Sequence, residues 1–355
     1  MTVEADTLPS EDEPSAAAIA GFYAGMARYW HPVLDEARLP ADRPVGVRLL
    51  GKRLVLARLN GTIVAFPDIC RHYQARLSLG EIIDWEGRQA LQCPYHGWAY
   101  AADGTCVRVP QLAAGHRIPA RASLEAIHVS ERYGLIWVCL GEPAFPVAHF
   151  PEYDDDSFRK VTLREREPTR TSSTRMIMAT LDDTHFPWVH EGILGHRAQP
   201  QAPDHKVWRE EHELVVRYSV EQPRNESTTG IGTQSAEPVR VVYTDYVGMP
   251  NIIRLVKDME AGRYVIWLAT CPLSYKLVQN FWIFARNYDL DPANDEEYQR
   301  FSAHVRMQDK PIVESQRPWL LPPFWTHTEL PLGPADLPII EYQRWLQELN
   351  IVTEL

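Results

Sequence analysis

At 355 residues the chain is long enough for two domains and needs no metal merely to stay folded. Hydrophobic content of 45% and charged content of 23% suit a globular protein, while 28 prolines argue against a mostly helical bundle. The formal net charge of −11 disfavours a broad nucleic-acid or anionic-membrane surface, and no apolar run approaches the roughly 18 to 20 residues that span a bilayer.

The opening MTVEADTLPSEDEP is acidic and lacks the basic start and apolar core of a secretion signal, so residues 1–17 read as a disordered leader of a cytoplasmic protein. AAAIAGFYAGMARYWHPV then predicts a short helix with aromatic anchors. From 44 to 141, short Val/Ile/Leu/Phe runs alternate with Gly, Pro and Asn turns, which predicts an all-β unit. Asn60-Gly61, between RLVLAR and TIVAF, is a hairpin signal.

Two loops of that unit carry Cys70-x-His72 and Cys93-x2-His96. A structural zinc site is one reading of two thiolates and two imidazoles, but its usual signature pairs Cys with Cys and His with His, whereas each hook here mixes them. Mixing suits a two-iron cluster: with Cys70 and Cys93 on one iron and His72 and His96 on the other, each hook grips both metals. Gly97, Trp98 and Gly80 fit as turn and lid residues. Cys106 has no histidine at hook spacing and stays outside the ligand set, while Cys139 and Cys271, in apolar strand-like runs, read as inert buried thiols. Five sparse cysteines make no disulfide framework.

GEPAFPVAHFPEYDDD, residues 141–156, reads as a linker. Residues 172–192 then read as helical and contain Asp182, His185 and His190. On a helix Asp182 and His185 share a face, and a bend near Pro187 is needed to bring His190 back to it. Two histidines with a carboxylate make the face that holds a non-haem iron with open positions. Asp309 is one candidate for the third ligand, and Asp289, Asp291 and Glu314 are also open to it. HELVVRYSV, PVRVVYTDYV, RYVIWLATCPL and KLVQNFWIFARNY alternate as strands, the segment 295–320 returns to helical periodicity, and ADLPIIEYQRWLQELNIV predicts a closing amphipathic helix packing through Ile339, Trp345 and Leu346. The second domain is therefore expected to be α+β, an antiparallel sheet with long helices against it.

Taken together, these residues resemble the oxygenase (alpha) component of the Rieske non-haem iron oxygenases, over nearly the whole chain from the stretch near Trp30 to the terminal helix. The family's C-x-H…C-x2-H pattern falls on Cys70, His72, Cys93 and His96; its D-x2-H-x4-H pattern falls on Asp182, His185 and His190; its late E-D-K-x3-E segment falls on QDKPIVE and places the third ligand at Asp309. The resemblance, closest in form to the vanillate and dicamba demethylase subgroup, implies an α+β protein with a Rieske [2Fe–2S] domain over 18–145 and a helix-grip (START-like) catalytic domain over 146–355. It also implies a mononuclear Fe(II) and a homotrimer in which electrons pass from His96 of one chain through Asp182 to His185 of the next. Electrons are expected from NAD(P)H through a ferredoxin or a flavin iron–sulfur reductase.

Three positions depart from the family pattern: Gln74 where glycine is common, Ala179 where many members have asparagine, and Gln308 for the usual glutamate. The implied reaction is O2-dependent hydroxylation, which at an O- or N-methyl group releases formaldehyde and so amounts to demethylation. Cis-dihydroxylation by the same machinery and a non-catalytic electron carrier are the alternatives. Tyr243, Tyr246, Phe281, Trp282 and Phe284 are candidate pocket residues, and Arg175 or Arg286 a candidate partner for a substrate carboxylate.

Overall fold

The computed structural model describes residues 13–113, 115–165, 167–223 and 239–351. Most of the acidic leader lies outside the described residues. Its last part does not follow the expectation of disorder to residue 17: Glu13 takes hydrogen bonds from Tyr275 and Lys276, and helix α1 (Ala16–Met26) starts directly after. The chain divides into two compact units, one of residues Ala27–Pro146 and the other of Val147 onward together with the chain before Ala27. Expected to open the first unit, α1 instead packs with the second. A side chain added at Gly25 would meet Asn350 O at 2.6 Å, so the helix backbone lies directly on the far end of the chain.

The smaller unit is all β. Strands β1 (His31–Asp35), β2 (Val45–Leu49), β3 (Lys52–Leu59), β4 (Thr62–Pro67), β5 (Glu81–Trp85), β6 (Arg88–Gln92), β7 (Ala99–Tyr100), β8 (Cys106–Arg108), β9 (His128–Arg132) and β10 (Leu135–Cys139) form three antiparallel sheets ordered β1-β10-β9, β2-β3-β4 and β5-β6-β7-β8. Asn60 and Gly61, at φ of 52° and 82°, turn β3 into β4 as the hairpin signal predicts, because both central positions of such a turn need positive φ. Phe66, Leu77, Leu91 and Tyr100 pack into one apolar core beneath the loops that follow β4 and β6. Each such side chain removed from water contributes about 1.5–3 kcal/mol, which anchors those loops to a rigid base.

The larger unit is built on a seven-stranded antiparallel sheet. After α2 (Pro151–Asp154) come β11 (Arg159–Arg164), α3 (Ser173–Leu181), α4 (Phe186–Val189), β12 (Lys206–Glu210), β13 (Glu213–Gln222), β14 (Val239–Gly248), β15 (Ile252–Met259), β16 (Gly262–Ser274), β17 (Leu277–Arg286), α5 (Asp295–Ser315) and α6 (Leu337–Glu348). The order is β11-β17-β16-β15-β14-β13-β12. Four of these strands match the sequence-based expectation, while β11, β12 and β15 do not announce themselves. β15 hides behind Arg254 and Lys257, both nearly buried; Arg254 is held by Glu152 at 3.0 Å and stacks over the Tyr246 ring. Helix α5 stops at Ser315, short of the expected 320, at the Gln316 cap. Among the described residues no helix is long and apolar enough to cross a membrane.

Candidate metal centres

The two hooks of the smaller unit are matching tight turns. In the first, Cys70 N–H donates to Ala75 O at 2.9 Å and Gln74 N–H to Cys70 O at 3.0 Å; in the second, Cys93 N–H donates to Trp98 O at 2.8 Å and Gly97 N–H to Cys93 O at 3.2 Å. Gln74 sits at φ 59° and Gly97 at φ 71°, so the turn is kept despite the missing glycine. The left-handed conformation costs the Gln74 position about 1–2 kcal/mol. Asp68 steadies the first loop by accepting from Ser78 N–H and Ser78 Oγ, each at 2.7 Å.

Cys70 and Cys93 are 1% and 2% exposed, whereas His72 and His96 are half-buried above them with their Nδ1 atoms 3.2 Å apart. Thiols therefore gather on the inner side and imidazoles on the outer side. That segregation fits a two-metal cluster with one sulfur-bound and one nitrogen-bound iron better than a single tetrahedral ion. Burial pushes the Cys70 thiol up, so a thiolate there calls for a neighbouring cation. The Tyr100 hydroxyl, 3.1 Å from Cys70 Sγ, accepts from Arg71 N–H at 3.2 Å and is left free to donate to the sulfur. His72 stacks on Trp98, with centroids 4.7 Å apart and planes at 7°. Cys106 and Cys139 have thiols pushed up to about 11 by burial, in keeping with inert roles.

In the larger unit the segment 172–192 is not one bent helix. Ser172 caps α3, accepting from Arg175 N–H, and α3 ends at Asp182, which is extended (φ −69°, ψ 128°). Asp182 Oδ1 accepts from Thr184 N–H at 2.8 Å and Thr184 Oγ1 at 2.7 Å, closing a turn that restarts the chain as α4. His185 and His190 flank that single turn as its caps, and Pro187 lies within its first two positions, where a missing N–H does no harm. The two imidazoles thus converge, ring centroids 5.0 Å apart, although their five-residue spacing would separate them on a continuous helix.

Asp309 of α5 completes the group. Its Oδ1 lies 3.0 Å from His190 Nε2 and 3.6 Å from His185 Nε2, and one ligand atom from each of the three residues lies within 4.8 Å of the others. The other carboxylates left open by the sequence are engaged elsewhere. Asp289 accepts from Asn294 and Tyr298, Asp291 from Ala293 N–H, and Glu314 from Arg170 N–H and Lys310. Each imidazole is held from behind by its Nδ1, His185 by Asp182 Oδ2 at 3.3 Å and His190 by Gln308 Oε1 at 2.9 Å. Both Nε2 atoms are therefore left as acceptors facing the carboxylate, the tautomer that metal binding needs. Burial alone raises the Asp182 carboxyl, but hydrogen bonds from His185 and Thr184 outweigh it and hold the group below the usual range. Burial alone lowers His185, and Asp182 with Asp309 more than offsets this, so the pocket between the rings favours positive charge. These donors and this field suit a divalent iron with open positions.

A cavity of about 250 Å³ opens beside the group, lined by His185, Asp182 and Asp309 among others. None of the five aromatic pocket candidates lines it. Tyr243 donates to Gln222 at 2.7 Å and stacks on Tyr218, and Trp282 donates to Glu165 at 2.9 Å, so these are sheet-core residues. Neither candidate arginine is available to a substrate carboxylate: Arg175 donates to Pro318 O and Glu329, and Arg286 to Asp289 O and Asp295. Gln308 enters the sequence reading only as a departure from the family's glutamate; its contact with His190 is what that reading missed, and its place next to Asp309 was the available signal.

The comparisons with known proteins agree with this layout. Residues 29–128 match the Rieske [2Fe-2S] domain, and residues 170–350 match the vanillate O-demethylase oxygenase C-terminal domain. The chain is similar to two Pseudomonas putida proteins, methylxanthine N1-demethylase NdmA (30% identical, covering 92% of this chain and 89% of that one) and methylxanthine N3-demethylase NdmB (29%, 92% and 90%). The solved structure of Pseudomonas putida CBB5 NdmB superimposes with a TM-score of 0.79 at 27% identity, covering 92% of each chain. Dicamba monooxygenase bound to dicamba matches with a TM-score of 0.76 at 20% identity over 92% of this chain and 97% of that one, a likeness of fold alone.

Proposed function

The chain belongs to the Rieske-domain oxygenase alpha subunits related to the methylxanthine demethylases and the vanillate O-demethylase group, and from that membership we propose that it removes methyl groups oxidatively from a small N-heterocycle or aromatic ether. As such an alpha subunit it is a terminal oxygenase. The observation that carries the demethylase reading is the convergence of His185, His190 and Asp309 beside a cavity of small-molecule size, in a chain that also bears the two Cys/His hooks.

In this reading Cys70, Cys93, His72 and His96 hold the [2Fe–2S] cluster, and His185, His190 and Asp309 hold the mononuclear iron. The cluster supplies single electrons and the iron supplies O2 activation at its open positions. The chain's own residues do the remaining work. Asp182 and Gln308 fix the tautomer and orientation of the two imidazoles, and the apolar side of the cavity keeps water from the reacting carbon. Overall, N- or O-methyl substrate, O2, two electrons and two protons give the demethylated product, formaldehyde and water. The hydroxylated methyl group collapses without a protein nucleophile.

Three finer features belong to the same proposal. The larger unit is a helix-grip fold, supported by its antiparallel sheet and the long helix α5. The chains form a homotrimer in which His96 of one approaches Asp182 of the next; the support is that Asp182 already holds His185 and that His96 is only half-buried. Electrons come from NAD(P)H through a ferredoxin or flavin iron–sulfur reductase, which makes the cytoplasm the proposed place of work.

The test is to purify the protein anaerobically, count iron and acid-labile sulfide, and assay formaldehyde with a surrogate reductase and methylated heterocycles. About three irons and two sulfides per chain, with formaldehyde formed in step with O2 uptake, are expected. About two irons per chain after iron supplementation would overturn the oxygenase mechanism and favour an electron carrier.

A further inference from the structure

We propose that His205 is a positioning residue for the iron-site histidines, gripping Asp183 and so locking the turn that carries His185 and His190 to the sheet; this rests on the reading of His185, His190 and Asp309 as the iron ligands. Helix α4 is a single turn of four residues, too short to hold its own geometry, yet both histidines are its caps. Two consecutive aspartates lead into it, and their side chains part. Asp182 goes to His185 and Thr184, whereas Asp183 is 5% exposed and its Oδ1 lies 2.9 Å from His205 Nε2. A carboxylate only accepts, so the imidazole N–H is the donor. Asp183 Oδ2 has no hydrogen-bond partner among the described residues, which leaves this one bond to tie the carboxylate down. The backbone of the same residue begins the turn, with Phe186 N–H donating to Asp183 O at 3.2 Å. In holding Asp183, His205 therefore holds the start of α4.

His205 is itself fixed by rings that lead back to the same turn. Its imidazole, in a side chain 1% exposed, stands edge-on to Tyr218 with centroids 5.4 Å apart. Tyr218 stacks on Tyr243 at 5.0 Å with planes 1° apart, and Tyr243 meets Phe186, the first residue of α4, at 6.1 Å. The circuit of Asp183, His205, Tyr218, Tyr243 and Phe186 thus starts just before His185 and ends just after it. The chain between α4 and His205 also lies close on the turn. Ile193 and Leu194 N–H both donate to His190 O, and a side chain added at Gly195 would meet Pro187 N at 3.1 Å. With Asp183 joined to His205, residues 184–204 form a loop shut by a buried pair, so the turn cannot roll without breaking that pair.

The test uses the cluster-loaded protein, Fe(II) affinity by chelator competition, and EPR of the ferrous site with nitric oxide as the probe, the cluster being kept oxidised and silent. The rhombicity of that signal reports ligand geometry and needs no turnover. His205→Phe keeps a ring against Tyr218 but removes the donor; it is expected to weaken Fe(II) binding about ten-fold and to shift the signal, with cluster absorbance unchanged. His205→Gln keeps an N–H donor of similar reach and is expected to restore both. Combining Asp183→Asn with His205→Phe relieves the unpaired buried charge, so it serves if His205→Phe alone does not fold, and the signal is expected to stay shifted because the lock is still missing. The unaltered protein's signal and affinity in that double variant, or in His205→Phe, overturn the proposal, since packing would then hold the turn by itself. So does a His205→Gln protein as impaired as His205→Phe, which would make the ring and not the hydrogen bond the working part. Failure of the underlying reading is seen separately: an unaltered protein with an intact cluster that binds no Fe(II) overturns the iron site and the proposal with it.

Discussion

Gln308 shows how one neutral side chain can decide whether a histidine is ready for a metal. Its Oε1 takes the Nδ1 proton of His190, a residue 1% exposed, and so presents Nε2 bare toward Asp309. In the sequence Gln308 stands as a departure from the family's usual glutamate beside the ligand Asp309. In the structure the amide oxygen performs the orienting task that a carboxylate would, without adding a second negative charge beside Asp309. Replacing Gln308 with leucine strands a buried N–H and frees the ring, so Fe(II) affinity should fall by roughly 10- to 100-fold in chelator competition. Gln308→Glu should retain it. Unchanged affinity in the leucine variant would mean that packing alone holds His190. Gln74 makes a related point about backbone: it adopts the left-handed turn that glycine favours, so the hook keeps its shape at a conformational cost.

At the scale of elements, the cluster hooks depend on how closely loops lie on strands. A side chain added at Gly80 would meet Gln92 O, at the end of β6, at 2.0 Å, which no small adjustment relieves. Gly80→Ala should therefore push the first hook away from the second and abolish the visible absorbance of the cluster. Gly87→Ala is the control: unlike Gly80 its site has positive φ, 76°, but nothing lies close to it, so the cost should be only about 1 kcal/mol with the cluster retained. Equal cluster content in both variants would contradict this account of the hook. The pairing of α3 with the short α4 follows the same logic in the larger unit. A hydrogen-bonded turn at Asp182 and Thr184, not a proline kink, brings two histidines of awkward helical spacing together. Sequence periodicity sees the helical residues but not the turn, because the Thr184 contacts compete locally with helix continuation.

At the scale of the whole molecule, the proposed route from His96 of one chain to Asp182 of the next makes catalysis a property of the oligomer. Mixing a His72→Ala chain, which lacks cluster ligation, with a His185→Ala chain, which lacks iron ligation, tests it directly. Each alone should be inactive. Random reassembly of equal amounts in a cyclic oligomer should restore about a quarter of the wild-type activity, because about one junction in four joins an intact cluster to an intact iron site. No recovery in confirmed mixed oligomers would sink the inter-chain route.

What the sequence by itself determined is the chemistry written in short stretches: the Cys/His hooks, the Asn60-Gly61 hairpin, the all-β character of the smaller unit, four strands of the larger sheet and the His185/His190 pair. Turn types and ligand spacings act over a few residues, so a handful of side chains specify them. The spacing of residues left Asp289, Asp291 and Glu314 open beside Asp309, which the family resemblance alone singled out, and it is the packing of α5, far along the chain, that brings Asp309 beside the two histidines. Only the tertiary structure revealed β15, whose buried Arg254 needs Glu152 about a hundred residues away, and it withdrew Arg175 and Arg286 from the substrate by giving them distant partners. Charged residues change meaning with their partners, and the partners are chosen by packing of the whole chain.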